Sequence, residues 1–410
     1  MPLIVQKYGG TSVANPDRIA NVANRVVKGW RDGFKMVVVL SAMSGETDRL
    51  INLAQELADE PDPRELDVLL ATGEQVTVSL FSMFLRGQGV PAASLLSHQA
   101  RIYTDRSYGR ARIIGIDTAR IREELKKGRV VTVAGFQGVD EVGNITTLGR
   151  GGSDTTAVAI AAALKADLCE IYTDVDGVYT TDPRIYDKAR RQERVAYDEM
   201  LEMASLGAKV LEIRSVGFAK QYNVPLRVRS SFTSTPGTLV TAEDEEMEAI
   251  PVSGVAFSKN DARVTITRVP DRPGIAVRLF KPVAEANIVV DMIIQNTSID
   301  GLTDLTFTVP KGDLKKTLEL VGPVAQEIEA EQVLSDENIA KVSIVGVGMR
   351  NNAGVAARMF DAMAAEGINI LMISTSEIKI SCIIEEKYGE LAVRVLHDAF
   401  GLDQPPPPKK

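Results

Sequence analysis

The sequence predicts an α/β protein with a mostly parallel open sheet that carries helices on both faces, followed by two smaller βαββαβ modules. Two observations favour this class. Apolar runs alternate with amphipathic helical patterns through roughly the first 240 residues, and the last third of the chain contains an internal repeat. Regular alternation of strands and helices is typical of a parallel sheet that helices cover on both sides.

Local signals place the first elements of this sheet. We predict the first strand at Ile4 to Tyr8, and then Asn15 as a helix cap with Pro16 at the first helical position. One face of that helix is apolar at spacings of three and four residues: Ile19, Val22, Ala23, Val26, Val27 and Trp30. Three continuous apolar runs predict strands buried on both sides: Met36 to Leu40, Val130 to Ala134 and Cys169 to Thr173.

The chain is predicted to divide into four segments. The acidic stretch Thr241 to Glu248 has no strand pattern, so we place the end of the first domain there, at 1–245. Two smaller modules are predicted at 250–338 and 339–403. The proline-rich end, 404–410, is expected to be a disordered tail.

The two modules are predicted from an internal repeat with an offset of 80 residues. The matching residues of the first copy are Gly274, Ala276, Arg278, Phe280, Ala284, Ile288, Met292 and Ile293. They recur as Gly354, Ala356, Arg358, Phe360, Ala364, Ile368, Met372 and Ile373. Each copy shows the strand and helix order of a ferredoxin-like βαββαβ unit. The alternative is chance likeness between two amphipathic helices.

Composition argues against several classes of function. The formal net charge of −8 disfavours a general nucleic-acid or anionic-membrane binder, and no apolar run reaches the ~20 residues of a membrane span. The N-terminus lacks the pattern of a signal peptide. Cys169 and Cys382 are predicted to be buried free thiols of a reducing cytoplasm. His98 and His397 stand apart from any candidate nucleophile or metal cluster, which disfavours histidine catalysis and histidine-ligated zinc.

Polar motifs follow three of the predicted strands at the point where each strand ends. They are Lys7 to Ser12, Ser41 to Thr47, and Asp174 to Tyr179. Ligands of open α/β sheets gather outside the carboxyl ends of the strands, so we expect these motifs to surround one site.

The first of these motifs suits a phosphate. Gly9 and Gly10 let the backbone approach an anion closely with its N–H groups, and Lys7 adds a positive charge. The spacing is not that of a Walker A loop. The alternative is a plain glycine turn beside a solvated lysine.

A second glycine loop, Leu148 to Asp154, follows a predicted hairpin that turns at Gly143-Asn144. This loop leads directly into a predicted helix. Arg150 can grip a carboxylate with two hydrogen bonds, and Ser153 or Asp154 can cap the helix. Such a helix start favours an anion. The alternative is a capped loop with a surface arginine.

Other polar residues allow two interpretations from the sequence. The turn-rich segment with Asp174, Asp176 and Asp182 can be a nucleotide-binding loop or a hydrogen-bonded Asx turn. Lys209 near a helix start can contact phosphate or be solvated. Glu74 can bind a ligand or be a simple charge in the first turn of a helix.

Together these segments resemble the aspartate kinases of the amino-acid kinase superfamily over essentially the whole chain. The most specific parts are VQKYGGTSV, VVVLSAMSGETD, the TGE triplet, TTLGRGGSDTTA and YTDVDGVYTTDPR. The resemblance implies the amino-acid kinase fold. It also implies transfer of the γ-phosphoryl group of ATP to the side-chain carboxylate of aspartate, the first step of lysine, threonine and methionine biosynthesis, in the cytoplasm.

The resemblance implies a role for each matching position. Lys7 would lie against the transferring phosphoryl group, and Asp154 would help to position Lys7 and the phosphates. Aspartate would be bound by Ser41, Thr47, Glu74, Arg150, Gly151, Gly152 and Ser153. ATP would be bound by Lys7, Tyr8, Gly9, Gly10, Thr173, Asp174, Tyr179, Thr180, Arg184 and Lys209. Mg²⁺ would enter on the phosphates rather than in an all-protein site.

The end of the chain, LMISTSEIKIS, resembles the second ACT module of the same family. ACT modules commonly bind amino acids at paired interfaces, and the family suggests lysine and threonine as effectors. The expected effector site consists of Asp271, Gly274, Ile275, Ala276, Gln295 and Asn296, closed from a partner surface by Asn369 and Ile370. The alternative is that these polar residues merely terminate strands. The resemblance also implies a homo-oligomer formed through the ACT modules, and Met247 resembles an internal translation start that would yield a separate regulatory subunit.

Two rival functions remain open from the sequence. One is a related kinase that acts on glutamate, acetylglutamate, carbamate or UMP, against which the tandem repeat and the TGE and GRGGSD motifs argue. The other is a non-catalytic amino-acid sensor, against which Lys7, Arg150, Asp154 and Asp174 argue. A fused dehydrogenase is not expected, because no dinucleotide-binding pattern follows the repeat.

Overall fold

The computed structural model describes residues 1–206, 210–296 and 300–405, and these form two compact units. The first unit contains Met1–Tyr179, Arg191–Ser205 and the described residues of 210–247. The second contains Thr180–Arg190, Leu206 and the described chain from Glu248 onward. A short excursion of the chain at Thr180–Arg190 therefore leaves the first unit and returns to it.

The first unit contains twelve strands among its described residues. They are β1 (Leu3–Tyr8), β2 (Lys35–Leu40), β3 (Ala92–Leu95), β4 (Ile102–Thr104), β5 (Ile113–Ile116), β6 (Val130–Ala134), β7 (Gln137–Val139), β8 (Ile145–Thr147), β9 (Leu168–Thr173), β10 (Arg194–Ala196), β11 (Leu226–Ser230) and β12 (Thr238–Thr241). Eight of them form one sheet in the order β10-β12-β11-β9-β1-β2-β6-β3, and only the β11–β12 pair is antiparallel. The other four form a small sheet in the order β5-β4-β7-β8.

Helices join and cover these strands. They are α1 (Pro16–Arg31), α2 (Glu46–Leu57), α3 (Pro63–Leu70), α4 (Thr72–Gly87), α5 (Ser97–Ala100), α6 (Ala119–Lys126), α7 (Gly152–Leu164), α8 (Tyr197–Ser205), α9 (Ile213–Tyr222) and α10 (Glu245–Glu248). The mostly parallel sheet with helices on both faces is confirmed. The predicted cap is also present, since the Asn15 side chain accepts a hydrogen bond from the N–H of Arg18 at 3.0 Å.

The two faces of the large sheet have different roles. Successive side chains of a strand point to opposite faces. Tyr8 of β1 and Val38 of β2 lie in an apolar core with Val22 and Val26 of α1. Lys7 points to the other face, where it meets α7. One face therefore supplies the main core, and the other supplies the site described below.

The continuous helical stretch Pro63–Gly87, which spans α3 and α4, is long and apolar enough by composition to cross a membrane. Half of its most apolar window is buried inside the protein, and Val78, Phe81 and Leu85 belong to the main core. A buried core helix passes the same test, so this stretch is weak evidence for a membrane span.

The second unit contains eight strands and four helices among its described residues. The strands are β13 (Gly254–Ser258), β14 (Asp261–Pro270), β15 (Ile293–Gln295), β16 (Leu302–Pro310), β17 (Gln332–Asp336), β18 (Ile339–Val345), β19 (Ile370–Thr375) and β20 (Lys379–Glu385). The helices are α11 (Ile275–Glu285), α12 (Leu314–Glu327), α13 (Val355–Ala365) and α14 (Gly389–Ala399). They form two antiparallel four-stranded sheets, in the orders β15-β16-β14-β17 and β13-β18-β20-β19.

The sheets correct one detail of the predicted boundaries. The sequence predicts the first module at 250–338, but β13 pairs with β18 and is a strand of the second sheet. It occupies the edge beside β18 that β17 occupies beside β14 in the first module. The first module, β14 to β17, is therefore inserted between β13 and the rest of the second. Hydrophobic pattern alone could not reveal this, because it shows that a segment is a strand but not which strand it pairs with.

The two modules share contacts within this unit. Met292, Ile339, Met372 and Ile383 form one apolar cluster that draws on both sheets. The nearly buried ammonium of Lys341 lies 2.6 Å from an oxygen of Asp291 and 3.2 Å from one of Asp261. Removing a partner would leave a buried charge uncompensated, so this cluster holds the modules together in one arrangement.

Candidate active site

The carboxyl ends of β1, β2 and β9 lie side by side. β1 pairs in parallel with both neighbours, so Tyr8 stands opposite Leu40 on one side and Tyr172 on the other. The loops that follow these strands therefore start at one edge of the sheet, where ligands of open α/β sheets bind.

An ion pair between Lys7 and Asp154 occupies this edge. The Nζ of Lys7 lies 2.5 Å from Oδ1 of Asp154, and each side chain is only 12% exposed. Asp154 stands in the first turn of α7, where the helix dipole favours a negative charge. The pair holds the lysine ammonium in place at the end of β1, partly shielded from water.

The glycines after β1 allow the neighbouring loop to approach. A Cβ atom on Gly10 would lie 2.9 Å from the carbonyl oxygen of Ala42, a separation that real Cβ atoms essentially never show. The N–H of Gly9 donates to the carbonyl of Tyr172 at 3.4 Å. The loop that begins at Lys7 is thereby packed between the ends of β2 and β9.

The second glycine loop, 148–154, needs glycine for both conformation and space. Gly151 has a φ of +68°, and a Cβ there would lie 2.1 Å from Cγ of Glu212. Gly151 is the N-cap of α7 and no side chain caps the helix, so our expectation of a cap from Ser153 or Asp154 is wrong. Both residues lie within the first turn instead, where Asp154 is engaged by Lys7.

Arg150 presents its side chain to solvent at the tip of this loop. Its side chain forms no ion pair with any residue that the structure describes, whereas its carbonyl accepts a hydrogen bond from Arg214 at 3.4 Å. Arg214 also donates to the carbonyl of Leu148 at 2.5 Å. The backbone of the loop is therefore held while the Arg150 guanidinium stays available for a ligand.

Sequence reasoning missed the support that α9 gives to this loop. Glu212 caps α9 by accepting from the N–H of Ser215 at 3.2 Å, and it also packs against Gly151. Glutamate is not among the residues preferred at a helix N-cap, so this cap had no recognised signal in the sequence. The contact of Arg214 with the glycine loop, 64 residues away, had no local signal.

Glu74 is buried, with 3% of its surface exposed. One carboxylate oxygen accepts a hydrogen bond from the N–H of Ala42 at 3.0 Å, and the other has no partner among the described residues. Burial raises the pKa of Glu74 from 4.5 to about 7. The structure thus excludes the simple surface charge and leaves a buried carboxylate oxygen that a ligand can satisfy.

The remaining residues predicted to bind aspartate lie near this position. Ser41 follows β2, and its N–H donates to the carbonyl of Tyr8 at 3.1 Å. Thr47 stands in the first turn of α2. Gly73 abuts Ala42, since a Cβ on Gly73 would lie 2.8 Å from that of Ala42. The start of α4, which carries Glu74, is therefore packed directly on the loop after β2.

The residues predicted to bind ATP divide between the two units. In the first unit, Thr173 ends β9 and its hydroxyl donates to Asp174 at 3.1 Å, while the hydroxyl of Tyr179 donates to Asp176 at 2.7 Å. Thr180 and Arg184 fall in the excursion assigned to the second unit. Lys209 lies outside the described residues.

Six of the eight residues predicted to bind an effector lie at one end of the first ACT-like sheet. Gly274, at φ +94°, caps α11 directly after β14, and Gln295 ends β15. Pro270 stands opposite Leu302 and Gln295 opposite Leu305 on the shared neighbour β16, so the two segments are close. Within the first sheet's group Ile275 is buried, and the exposed members are Asp271, Gly274, Ala276, Gln295 and Asn296. Asn369 and Ile370, at the start of β19, belong to the second sheet.

The described residues contain no group of three or more His, Cys, Asp or Glu side chains that could hold a metal ion. Cys169 and Cys382 are free and buried, as predicted, and burial raises the pKa of both thiols, that of Cys382 to about 12. Neither thiol is a candidate nucleophile.

Comparison with known proteins agrees with this geometry. The model of the amino acid kinase family matches residues 2–230, and models of the ACT domain match 263–325 and 342–400. An aspartate kinase of Pseudomonas putida is 61% identical over 406 residues, covering 99% of each chain. An aspartokinase of Helicobacter pylori strain J99 is 53% identical over 406 residues, covering 98% of this chain and 100% of the relative.

Solved structures also match along nearly the whole length. Escherichia coli aspartokinase III in complex with aspartate and ADP, in the R-state, has a TM-score of 0.78 at 27% identity and covers 97% of this chain and 99% of its own. The same enzyme in complex with lysine and aspartate, in the T-state, has a TM-score of 0.77 at 28% identity, with the same coverage of both chains.

The parallel sheet, the cationic edge and the two appended modules define a kinase of the amino-acid kinase class with ACT domains. Identity of about 60% along the full length of the Pseudomonas relatives is decisive within that class. The chain belongs to the aspartate kinase family. It is a phosphotransferase whose acceptor is a carboxyl group.

Proposed function

We propose that the edge formed by β1, β2 and β9 transfers the γ-phosphoryl group of ATP to the side-chain carboxylate of aspartate, giving 4-phospho-L-aspartate and ADP. The observation that carries this assignment is the Lys7–Asp154 pair, a fixed and partly desolvated ammonium at the sheet edge. The acceptor is ionised at neutral pH and needs no general base. The obstacle is repulsion between two anions, which fixed positive charge and helix N-termini reduce.

Each group around the pair has a part in this scheme. Lys7 contacts the transferring phosphoryl group, and Asp154 keeps the ammonium there. Arg150 pairs with a carboxylate of aspartate, and the ionised form of Glu74 binds its ammonium group. Ser41, Thr47, Gly151, Gly152 and Ser153 complete the aspartate site. Two contacts support these roles: the N–H of Ala42 holds the buried Glu74 carboxylate, and Arg214 holds the backbone of the glycine loop.

ATP is proposed to extend from Lys7 along Tyr8, Gly9 and Gly10. Its other contacts come from Thr173, Asp174, Tyr179, Thr180, Arg184 and Lys209. The complex of the related E. coli enzyme with ADP supports a nucleotide as a ligand of this chain. Asp154 is already used by Lys7, so the residues do not form a closed metal cage. Mg²⁺ would therefore be held by the phosphate oxygens, where it would neutralise part of their charge.

Two product measurements test the reaction together. With ATP and aspartate, ADP release should be matched by an acyl phosphate that hydroxylamine traps as the aspartyl hydroxamate. Glutamate, acetylglutamate, carbamate and UMP should give little ADP release. Absence of ADP release with aspartate would instead favour the non-catalytic sensor.

The state of Glu74 should make aspartate binding depend on pH. With a pKa of about 7 the carboxylate is mostly ionised at pH 8 and only about one-tenth ionised at pH 6. The ammonium of aspartate prefers the ionised form, so the KM for aspartate should rise about tenfold from pH 8 to pH 6 while the KM for ATP changes less. Glu74→Gln should have a high KM for aspartate at both pH values. An equally steep pH dependence in that variant would contradict the role of Glu74.

The ACT modules are proposed to bind amino-acid effectors, with lysine and threonine as the candidates. The exposed amides at Gly274 suit a ligand carboxylate, Asp271 suits its ammonium, and Gln295 lies at the same end of the sheet. The lysine-bound T-state of the E. coli enzyme supports lysine in particular. An effector that binds one arrangement better shifts the enzyme toward it.

Lysine and threonine, titrated singly and together, should inhibit the enzyme or weaken aspartate binding. Asp271→Ala should raise the inhibitory concentration by about tenfold or more, because it removes the charge that meets the effector ammonium. The control Asp313→Ala changes a partly exposed acid of the same module, at the opposite end of β16 from the proposed site. Equal responses in both variants would remove Asp271 from the site.

We further propose a homo-oligomer formed through the ACT modules, in the cytoplasm. Val277, Val289 and Ile293 are exposed on the first module, and β15 is a sheet edge that can pair with another chain. The subunit count from sedimentation, and its loss when Ile293 is replaced by lysine, would test this. Detection of a second, shorter product starting at Met247 would show a separate regulatory subunit.

A further inference from the structure

The excursion Thr180–Arg190 carries two of the residues that we propose to contact ATP, yet it belongs to the second compact unit. It starts directly after Tyr179. The N–H of Thr180 donates to the carbonyl of Arg190 at 2.9 Å, and the N–H of Arg190 donates back to the hydroxyl of Thr180 at 2.9 Å. The two ends of the excursion therefore close on each other at Thr180.

A histidine from α14 completes this closure. His397 is fully buried, and its Nε2 lies 2.9 Å from the hydroxyl oxygen of Thr180. The carbonyl of Thr180 accepts a further hydrogen bond, at 2.7 Å, from the N–H of Val255 at the start of the second ACT sheet. Thr180 is thus fixed by the excursion itself, by α14 and by β13.

A second contact holds the middle of the excursion on the same helix. The ring of Tyr186 meets the imidazole of His397 edge-on, with centroids 5.0 Å apart. Its hydroxyl donates to Oδ1 of Asp398 at 2.6 Å. Two consecutive residues of α14, His397 and Asp398, therefore contact two separate residues of the excursion, Thr180 and Tyr186.

The contact with His397 is a bond between neutral groups. Burial lowers the pKa of the imidazole below its ordinary value, and Nδ1 has no hydrogen-bond partner in the described chain. A second proton would place an uncompensated charge in the interior. A neutral amide of similar reach, such as the glutamine side chain, can therefore replace the hydrogen bond.

We propose that His397, in the second ACT module, is a positioning residue for ATP binding: it holds Thr180 and thereby the conformation of the excursion that carries Arg184. This inference rests on the proposed contacts of Thr180 and Arg184 with ATP. A ligand binds more weakly when only a fraction of the protein has the competent loop conformation, in proportion to that fraction. Loss of the hydrogen bond between His397 and Thr180 lowers that fraction and leaves the aspartate site unchanged.

The test compares His397→Leu with His397→Gln in the full-length enzyme. The leucine variant removes the hydrogen bond between the Thr180 hydroxyl and α14 and leaves only the one from the N–H of Arg190. Its KM for ATP should therefore rise about tenfold, while kcat and the KM for aspartate stay within about twofold. The glutamine variant should recover most of the ATP affinity. An unchanged KM for ATP in His397→Leu, or equal losses in both variants, would overturn the proposal.

Thr180→Val provides a second route if the histidine variants fold poorly. It removes the other half of the same bond, so its effect and that of His397→Leu should not add in the double variant. Fully additive effects would overturn the proposal.

Arg184→Ala separates this inference from the proposed function. A higher KM for ATP in Arg184→Ala together with a normal value in His397→Leu would contradict the positioning role of His397. The contact of Arg184 with ATP would still be supported. Normal values in both variants would show that the excursion does not contribute to the ATP site. They would therefore also contradict the positioning role of His397.

Discussion

Replacing Lys7 by alanine should lower kcat by about three orders of magnitude. One unit pair at ~4 Å and an effective dielectric of ~20 is worth roughly 4 kcal/mol, which corresponds to about a thousandfold if it is realised in the transition state. The Lys7–Asp154 pair places that charge in a position only 12% exposed, where water screens it little. Steady-state kinetics with saturating ATP and aspartate would measure the loss.

The design must separate lost chemistry from lost folding. Lys7→Ala leaves the carboxylate of Asp154 without its cation, which can lower stability. The double variant Lys7→Met with Asp154→Asn removes both charges and should regain the wild-type melting temperature while remaining inactive. Lys28→Ala, on the exposed side of α1, is the matched control and should keep full turnover. A folded double variant with near-normal kcat would exclude Lys7 from the transfer step.

Arg150→Ala should raise the KM for aspartate about a hundredfold and change kcat much less. A charge-assisted pair with a carboxylate contributes roughly 1.5–3 kcal/mol, and the guanidinium of Arg150 is not committed to any ion pair in the described chain. Loss of an interaction made equally in the ground state and the transition state appears in KM. The KM for ATP should remain near its wild-type value.

Two further variants sharpen this test. Arg150→Lys keeps the charge but loses the two-pronged geometry, so its KM for aspartate should lie between those of alanine and wild type. Arg31→Ala, at the exposed end of α1, is the matched control and should bind aspartate normally. An Arg150→Ala variant with an unchanged KM for aspartate would mean that another cation grips the substrate carboxylate.

Much of the first unit was predictable because its signals are local. The apolar runs at β2 and β6 and the Asn15 cap depend on residues a few positions apart, and the structure has them where the sequence predicts. The meeting of the loops after β1, β2 and β9 also follows from parallel topology. The rule that ligands gather beyond the carboxyl ends of parallel strands thus connects segments more than 160 residues apart in the sequence.

Other features depended on contacts that leave no local trace. The Glu74 carboxylate shows no sign in the sequence that its environment will be desolvated. The support that Arg214 gives to the glycine loop comes from a helix whose own pattern specifies only its amphipathicity. The pairing of β13 with the second ACT sheet reverses an assignment that adjacency in the chain favoured.

The sequence by itself determined the α/β class, the repeated modules, the glycine loops and the charged residues that define an aspartate kinase, because periodicity and residue type are written along the chain. Only the tertiary structure decided which of those groups are buried or paired, and which strand forms the edge of each ACT sheet. It also showed that the Thr180–Arg190 excursion rests on His397. The physical reason is that desolvation and hydrogen-bond partnership are set by atoms distant in sequence, which no local pattern encodes.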